Sequence, residues 1–272
     1  MNPALRLFRP VNAIMAVLGT FISSLVAIGS NMLNHIFLIS IASLVVFLVL
    51  TGGNVMNDVL DSENDRVNHP ERPIPSGKIT VRQGTYIYVI SYVLSIVVAL
   101  IFLNLYAAAI VVAADLLLIL YETKGKYRGL SGNIIISILI GSIFLFGGVI
   151  FMKPEKTFLL MALASLSNLS RELIKDVQDV EGDVDRITFP KKYGIKNALN
   201  LSSFLIITTI GVSFVPYVAG LFSYQYLIAV IVCDICFAAT LATQYKSARE
   251  GQKLSKVSMI LGLVSFTVGG IF

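Results

Sequence analysis

Charge is scarce in this 272-residue chain: Asp, Glu, Lys and Arg make up 14 % of it, against 56 % hydrophobic residues. A soluble α/β fold needs polar faces and connections that this composition does not supply, so such folds are excluded. Histidine is limited to His35 and His69, both read as ordinary loop residues, and cysteine to Cys233 and Cys236. No nitrogen–sulfur ligand set can be assembled from these four. The CxxC pair lies in an apolar run and reads as two small buried side chains. Low-complexity tails, soluble domains and nucleic-acid motifs are also missing.

What is present is a series of apolar runs of about 20 residues, each long enough to cross a bilayer as a helix. They lack the alternation of a β-barrel strand, so the fold expected is all-α and polytopic. The runs predict nine transmembrane helices near 10–28, 36–59, 84–103, 105–121, 131–151, 157–176, 196–219, 224–245 and 254–272. Arginines before the first run imitate a signal peptide, with Ala27 near a possible cleavage site. The preferred reading is an uncleaved first helix. Nineteen of the 21 Lys and Arg fall in the N-terminal segment and in the connections 60–83, 122–130, 171–196 and 246–256. Only Lys153 and Lys156 lie between the other helices. The positive-inside rule then places the N-terminus and these connections in the cytoplasm, and the C-terminus outside.

Two of the basic connections begin with the same acidic pattern. Asp58-x-x-Asp61-x-x-x-Asp65 recurs as Asp176-x-x-Asp179-x-x-x-Asp183. On a continuous helix these positions lie within about 60° of one another. Asn54 and Glu172, each four residues earlier, join the same faces. So much like charge at a membrane boundary is expected to hold a cation, and hard oxygen ligands without His or Cys favour Mg2+. Such an ion takes few carboxylates and completes its shell with water and phosphate, so a metal-bridged diphosphate is expected. Arg66, Arg72, Lys124, Lys126, Arg128, Lys191 and Lys192 surround the motifs in sequence and suit diphosphate oxygens. Glu63 and Glu71 fall off the stripe. Asp115 and Asp234 interrupt apolar runs and are functional candidates outside the motif.

At these residues the sequence resembles the UbiA superfamily of intramembrane prenyltransferases. The resemblance runs through FRPVNA, NxxNDxxDxxxD, the RPIPSG turn, YxxK and the second aspartate motif. It implies a single domain over residues 1–272, with nine helices around a central cavity and a polar cap on the cytoplasmic side. It also implies Mg2+ held at Asn54, Asp58, Asp61, Asp65, Asp176, Asp179 and Asp183, with a prenyl diphosphate donor. Arg9 and Asn12 fall where the family contacts its acceptor, and Tyr121 and Lys124 fit its YxxK element. Glu172 departs from the first motif, which has Asn at that place. RELIKDVQDVEGD and TFPKKYG most resemble the archaeal branch that adds a geranylgeranyl group to geranylgeranylglyceryl phosphate. Homogentisate prenyltransferases share a similar KDxxDxEGD, so an aromatic acceptor is the alternative. The N-terminus lacks transit-peptide character, which disfavours a plastid enzyme.

The expected reaction therefore joins C1 of geranylgeranyl diphosphate to the sn-2 hydroxyl of a lipid-like glycerol phosphate. The metal and cationic side chains would stabilise the departing diphosphate. An acceptor phosphate needs cations of its own, and Arg171 and Lys175 beside the second motif are candidates. A divalent-cation transporter is a remote alternative, because transport sites lie nearer the bilayer midplane.

Overall fold

The computed structural model describes residues 7–182 and 187–272. Asp183, expected in the second motif, lies outside the described residues. Among them the secondary structure is helical. It comprises α1 (Pro10–Ile28), α2 (Ile36–Leu60), α3 (Ser62–Asn68), α4 (Val81–Phe102), α5 (Leu105–Thr123) and α6 (Leu130–Ile150). It continues with α7 (Pro154–Gln178), α8 (Phe189–Tyr193), α9 (Ile195–Ser213), α10 (Val215–Val218), α11 (Tyr224–Lys246) and α12 (Ala248–Ile271). Seven segments are long and apolar enough to cross a membrane, and one of them, Pro10–Leu60, contains both α1 and α2. Helix α7 is not among the seven. Its first turn carries Glu155 and Lys156, and its last turns carry Arg171, Glu172, Lys175 and Asp176.

Local chemistry explains where the helix ends depart from the sequence expectation. Helix α4 starts at Val81 because Thr80 and Gln83 form a capping box that satisfies two backbone N–H groups. Pro154 opens α7, where a missing N–H costs nothing. The stretch 246–256 is helical on both sides of Ser247, whose hydroxyl accepts from the Glu250 N–H at 3.3 Å. Its basic residues thus sit on helix ends, not on a loop. The run expected as 196–219 is broken at Phe214, and α10 begins at Val215 with Pro216 in its first turn.

The chain forms two compact units: Leu33–Thr123 with the chain up to Phe21, and Ile22–Met32 with Lys124–Phe272. In the first, α4 lies along α2, and α5 packs on both. In the second, α7 is the hub, packing against α6, α9 and α12 while α11 pairs with α12. Packing follows membrane logic. Large apolar side chains such as Ile90, Val93 and Leu116, or Ile228 and Ile235, face outward. Small polar residues are buried between helices, as with Thr157, Ser167, Asn168 and Ser170 of α7. Where lipid is as apolar as leucine, close approach and hydrogen bonds hold helices together. Aromatic contacts add to this in the second unit, with Phe144 edge-on to Phe266 at 5.7 Å and Phe222 tilted on Tyr226 at 4.7 Å.

The units repeat one plan. Ile36–Leu60 and Pro154–Gln178 have 25 residues each and begin 118 positions apart. The same offset relates Asp58 to Asp176, Asp61 to Asp179, and Ser95 to Ser213. Ser95 donates to Asp115 Oδ2 at 3.1 Å in the first unit. Ser213 donates to Asp234 Oδ2 at 2.8 Å in the second. The repeat visible in the aspartates therefore extends down into the apolar part of each unit.

Candidate active site

Neither aspartate motif is one continuous helical stripe, which corrects the sequence expectation. Helix α2 ends at Leu60 and α7 at Gln178, so the middle aspartate of each motif is the helix C-cap. Asp61 has φ −91° and ψ 6°, and Asp179 has φ −94° and ψ 4°. The backbone N–H of each still reaches the carbonyl four residues back, to Asn57 and Lys175. Spacing alone shows where aspartates would lie if the helix continued. It does not show that both helices stop at the same motif position.

In the first unit the motif is gathered by two arginines. Arg9 Nη2 donates to Asn57 Oδ1 and to Asp58 Oδ1, each at 2.9 Å. Arg72 Nη1 donates to Asp65 Oδ2 at 2.5 Å and lies 3.6 Å from Asp58 Oδ1. Asp58 and Asp65 are buried. Asn57 Nδ2 in turn donates to Asp61 Oδ2 at 3.0 Å and to Glu122 Oε2 at 2.9 Å. Asn54 lies on the same helix, one turn before Asp58, and its Nδ2 is buried with no hydrogen-bond partner.

An apolar base fixes this network. Leu7, Val55 and Ile74 are buried together, flanked by Phe8, Val59, Ile79, Ile87 and Tyr88. Ile74 belongs to the proline-rich turn that carries Arg72, so its burial anchors that arginine. Gly84 permits the approach of α4: a Cβ there would stand 2.6 Å from Val59 Cγ2 and 2.8 Å from Ile74 Cδ1. Arg9 has a φ of 44°, an unusual value for a residue with a side chain. Its carbonyl accepts the N–H groups of Asn12 and Ala13 as α1 begins. Strain of this kind, of order 1 kcal/mol, persists only where surrounding contacts over-determine it.

In the second unit Asp176 Oδ2 accepts from Asn133 Nδ2 at 2.7 Å. Arg171 pairs with Glu172 and donates to Asn168 Oδ1 at 3.3 Å, while Lys175 Nζ lies 3.9 Å from Glu172 Oε2. The basic loop after α5 packs on the TFPKKYG segment. A Cβ at Gly129 would be 3.0 Å from the Ile187 carbonyl, and one at Gly132 would be 2.7 Å from the Gly125 carbonyl. Lys126 is buried there, whereas Lys124, Arg128 and Lys191 are exposed.

The expected residues therefore fall into groups. Arg9, Asp58, Asp65 and Arg72 are in direct contact, and Asp61 joins them through Asn57. Arg171, Glu172 and Lys175 form a second cluster on the turn that leads into Asp176. Asn12 and Arg66 are exposed, and Tyr121 is half-buried. Asn57, Glu122, Asn133 and Asn168 were missed. Asn57 sits four residues before Asp61, an i,i+4 relation legible in the sequence. The others are polar residues made partners only by tertiary packing.

The donor set suits a hard cation, being made of carboxylate and amide oxygens. Asp58 and Asp65 already converge on one positive charge, the Arg72 guanidinium. Among the described residues, no three His, Cys, Asp or Glu side chains are gathered closely enough to enclose an ion.

The chain belongs to the UbiA prenyltransferase family, whose match covers residues 16–264. It is thus a membrane-embedded prenyltransferase, in keeping with its seven apolar segments. Among its relatives is the digeranylgeranylglyceryl phosphate synthase of Methanosphaera stadtmanae, 38 % identical over an alignment of 278 positions that covers 100 % of both chains. A solved structure from work on digeranylgeranylglyceryl phosphate synthase in membranes superposes with a TM-score of 0.89. It is 38 % identical, with 99 % of this chain and 98 % of that one covered. A UbiA homologue from Archaeoglobus fulgidus bound to DMAPP and Mg2+ shares the fold. Its TM-score is 0.65 at 17 % identity, with 97 % of this chain and 99 % of that one covered.

Proposed function

We propose that this prenyltransferase joins a geranylgeranyl group from geranylgeranyl diphosphate to the sn-2 hydroxyl of geranylgeranylglyceryl phosphate. The observation that carries the acceptor assignment is the Arg171–Glu172–Lys175 cluster on α7, on the turn that leads into Asp176. Two cations share one carboxylate, so the cluster keeps a positive charge for an acceptor phosphate. A phosphate monoester, with more charge and one more oxygen than the carboxylate of an aromatic acid, makes fuller use of it. The full-length likeness to digeranylgeranylglyceryl phosphate synthases supports the same choice.

Asp58, Asp61, Asp65, Asp176, Asp179 and Asp183, with Asn54, are assigned to Mg2+ and the donor diphosphate. Bound there, the metal offsets charge on the departing diphosphate. Asn54 Nδ2 and the guanidinium of Arg72 donate hydrogen bonds to its oxygens, and Arg66, Lys124, Lys126, Arg128 and Lys191 supply further positive charge. Arg9 holds Asp58 and Asn57 in place at the start of α1, and Asn12 and Tyr121 line the acceptor side. The C1–O bond breaks with its electron pair leaving on diphosphate, and the acceptor hydroxyl oxygen bonds to C1. The hydroxyl proton passes to a diphosphate oxygen. Apolar walls keep water from the allylic cation and house the isoprenoid tails. The chain forms one domain crossing the membrane nine times around this cavity, with the N-terminus and both motifs on the cytoplasmic face and the C-terminus outside.

The test is a competition with the purified full-length protein and geranylgeranyl diphosphate. Geranylgeranylglyceryl phosphate is set against homogentisate and 4-hydroxybenzoate, with and without Mg2+. Ether formation with the glycerol phosphate alone, abolished by EDTA, is the expected result. Preferential prenylation of an aromatic ring would overturn the acceptor assignment.

A further inference from the structure

Glu122 has no place in either aspartate motif, yet it is buried, with 5 % of its surface exposed. It sits near the end of α5, between the two residues of the YxxK element. Its Oε2 accepts from Asn57 Nδ2, 65 positions away in the sequence. The Asn57 amide is tied on every side. Its oxygen accepts from Arg9, and its nitrogen donates to Asp61 Oδ2 and Glu122 Oε2. An amide nitrogen has two hydrogens, and here each goes to a different carboxylate. Turning the amide over would bring its NH2 against the guanidinium, so Arg9 and Glu122 together fix its plane. That plane in turn sets where the Asp61 carboxylate points. Nothing equivalent stands at the matching positions of the repeat: Asn57 becomes Lys175, and Glu122, seven residues after Asp115, becomes Leu241, seven after Asp234.

We infer that Glu122 is a positioning residue for the first aspartate motif, orienting Asp61 through Asn57 so that its carboxylate is pre-set for a divalent cation. Pre-orientation raises affinity because the ordering cost is met in the folded protein before the ion arrives. The inference rests on the metal role proposed above. It does not depend on the donor or the acceptor.

The test uses full-length protein in nanodiscs of zwitterionic lipid. Mn2+ binding is read by electron paramagnetic resonance with inorganic pyrophosphate present and no prenyl donor. Glu122→Ala removes the acceptor for Asn57 and should weaken Mn2+ binding about tenfold, the effect of one lost charge-assisted hydrogen bond. Glu122→Gln keeps an oxygen facing Asn57 and should stay within about threefold of the parent protein. Adding Glu122→Ala to Asn57→Ala should weaken binding no further, because the positioning inferred for Glu122 runs through Asn57. The Mg2+ concentration giving half-maximal transfer should follow the same order, with kcat at saturating Mg2+ little changed. Unfolding midpoints of the variants show that the fold is kept. If Glu122→Gln is as weak as Glu122→Ala, the charge itself meets the ion and the positioning role is wrong. Unchanged binding in Glu122→Ala, or additive losses in the double variant, would equally overturn it. If the alanine variant does not fold, the Gln variant and Asn57→Ala still decide. Because neither acceptor nor allylic donor is present, a wrong acceptor assignment leaves the outcome intact.

Discussion

Removing Arg72 probes whether the buried carboxylates of the first motif depend on its guanidinium. Arg72 Nη1 is 2.5 Å from Asp65 and 3.6 Å from Asp58, whose side chains are 9 % and 4 % exposed. A hydrogen bond to a charged partner contributes about 1.5–3 kcal/mol. The Arg72 side chain is 29 % exposed, so water screens part of the pair and the lower end of that range, about 2 kcal/mol, applies. Arg72→Ala alone should cost more, about 3 kcal/mol, because it leaves Asp65 buried without this counter-charge. A cycle of Arg72→Ala, Asp65→Ala and the double variant separates the coupling from that penalty. Equilibrium unfolding in mixed micelles supplies the four stabilities. Repeating the cycle with Mg2+ and pyrophosphate adds a second readout. A cation among the carboxylates takes over from the guanidinium, and the Arg72→Ala deficit should shrink by about 1 kcal/mol or more. A coupling below about 0.5 kcal/mol would make the pair an ordinary surface contact. A deficit indifferent to Mg2+ would refute the idea that arginine and metal serve the same carboxylates.

Gly84→Leu should destabilise the first unit by about 1–3 kcal/mol, since its Cβ alone meets Val59 and Ile74 inside van der Waals distance. Transfer should fall with it, because Ile74 anchors the turn of Arg72; unfolding and pyrophosphate release measured together check both. Ser95→Ala and Ser213→Ala should each cost about 1–3 kcal/mol, because Asp115 and Asp234 each bury a second oxygen with no partner. Similar losses at the two sites, by the same unfolding assay, would confirm that the repeated pair does the same work in both units.

Much of the architecture is a property of the chain read in one dimension. Whether a run of residues can cross a bilayer depends on its length and apolar content, and both are local. The helix segments therefore emerged from hydropathy with ends displaced by a few residues. Where they were displaced, a capping side chain or a proline explains it. Thr80 with Gln83 starts α4 early, and Ser247 turns an expected loop into helix. The aspartate repeat was equally legible, because DxxDxxxD is a spacing and needs no partner to be seen. Charge asymmetry along the chain belongs to the same class. It arises from insertion across a charged membrane, and the sequence alone carries it.

The site itself required the fold. That both motif helices stop at the middle aspartate depends on backbone geometry which an ideal helical wheel does not contain. The resemblance places Arg9 beside the acceptor, and only the structure shows that it also holds Asp58 and Asn57, 49 and 48 positions away. Asn133 reaches Asp176 across 43 positions, and Glu122 reaches Asn57 across 65. None of these pairs leaves a trace in local composition, because a lone Asn or Glu at a helix end looks like any solvated residue. Sequence determined that this chain enters the membrane as helices and gathers carboxylates at two of their ends. Tertiary structure decided which neutral and cationic side chains hold those carboxylates, since hydrogen bonds are made between atoms brought together in space.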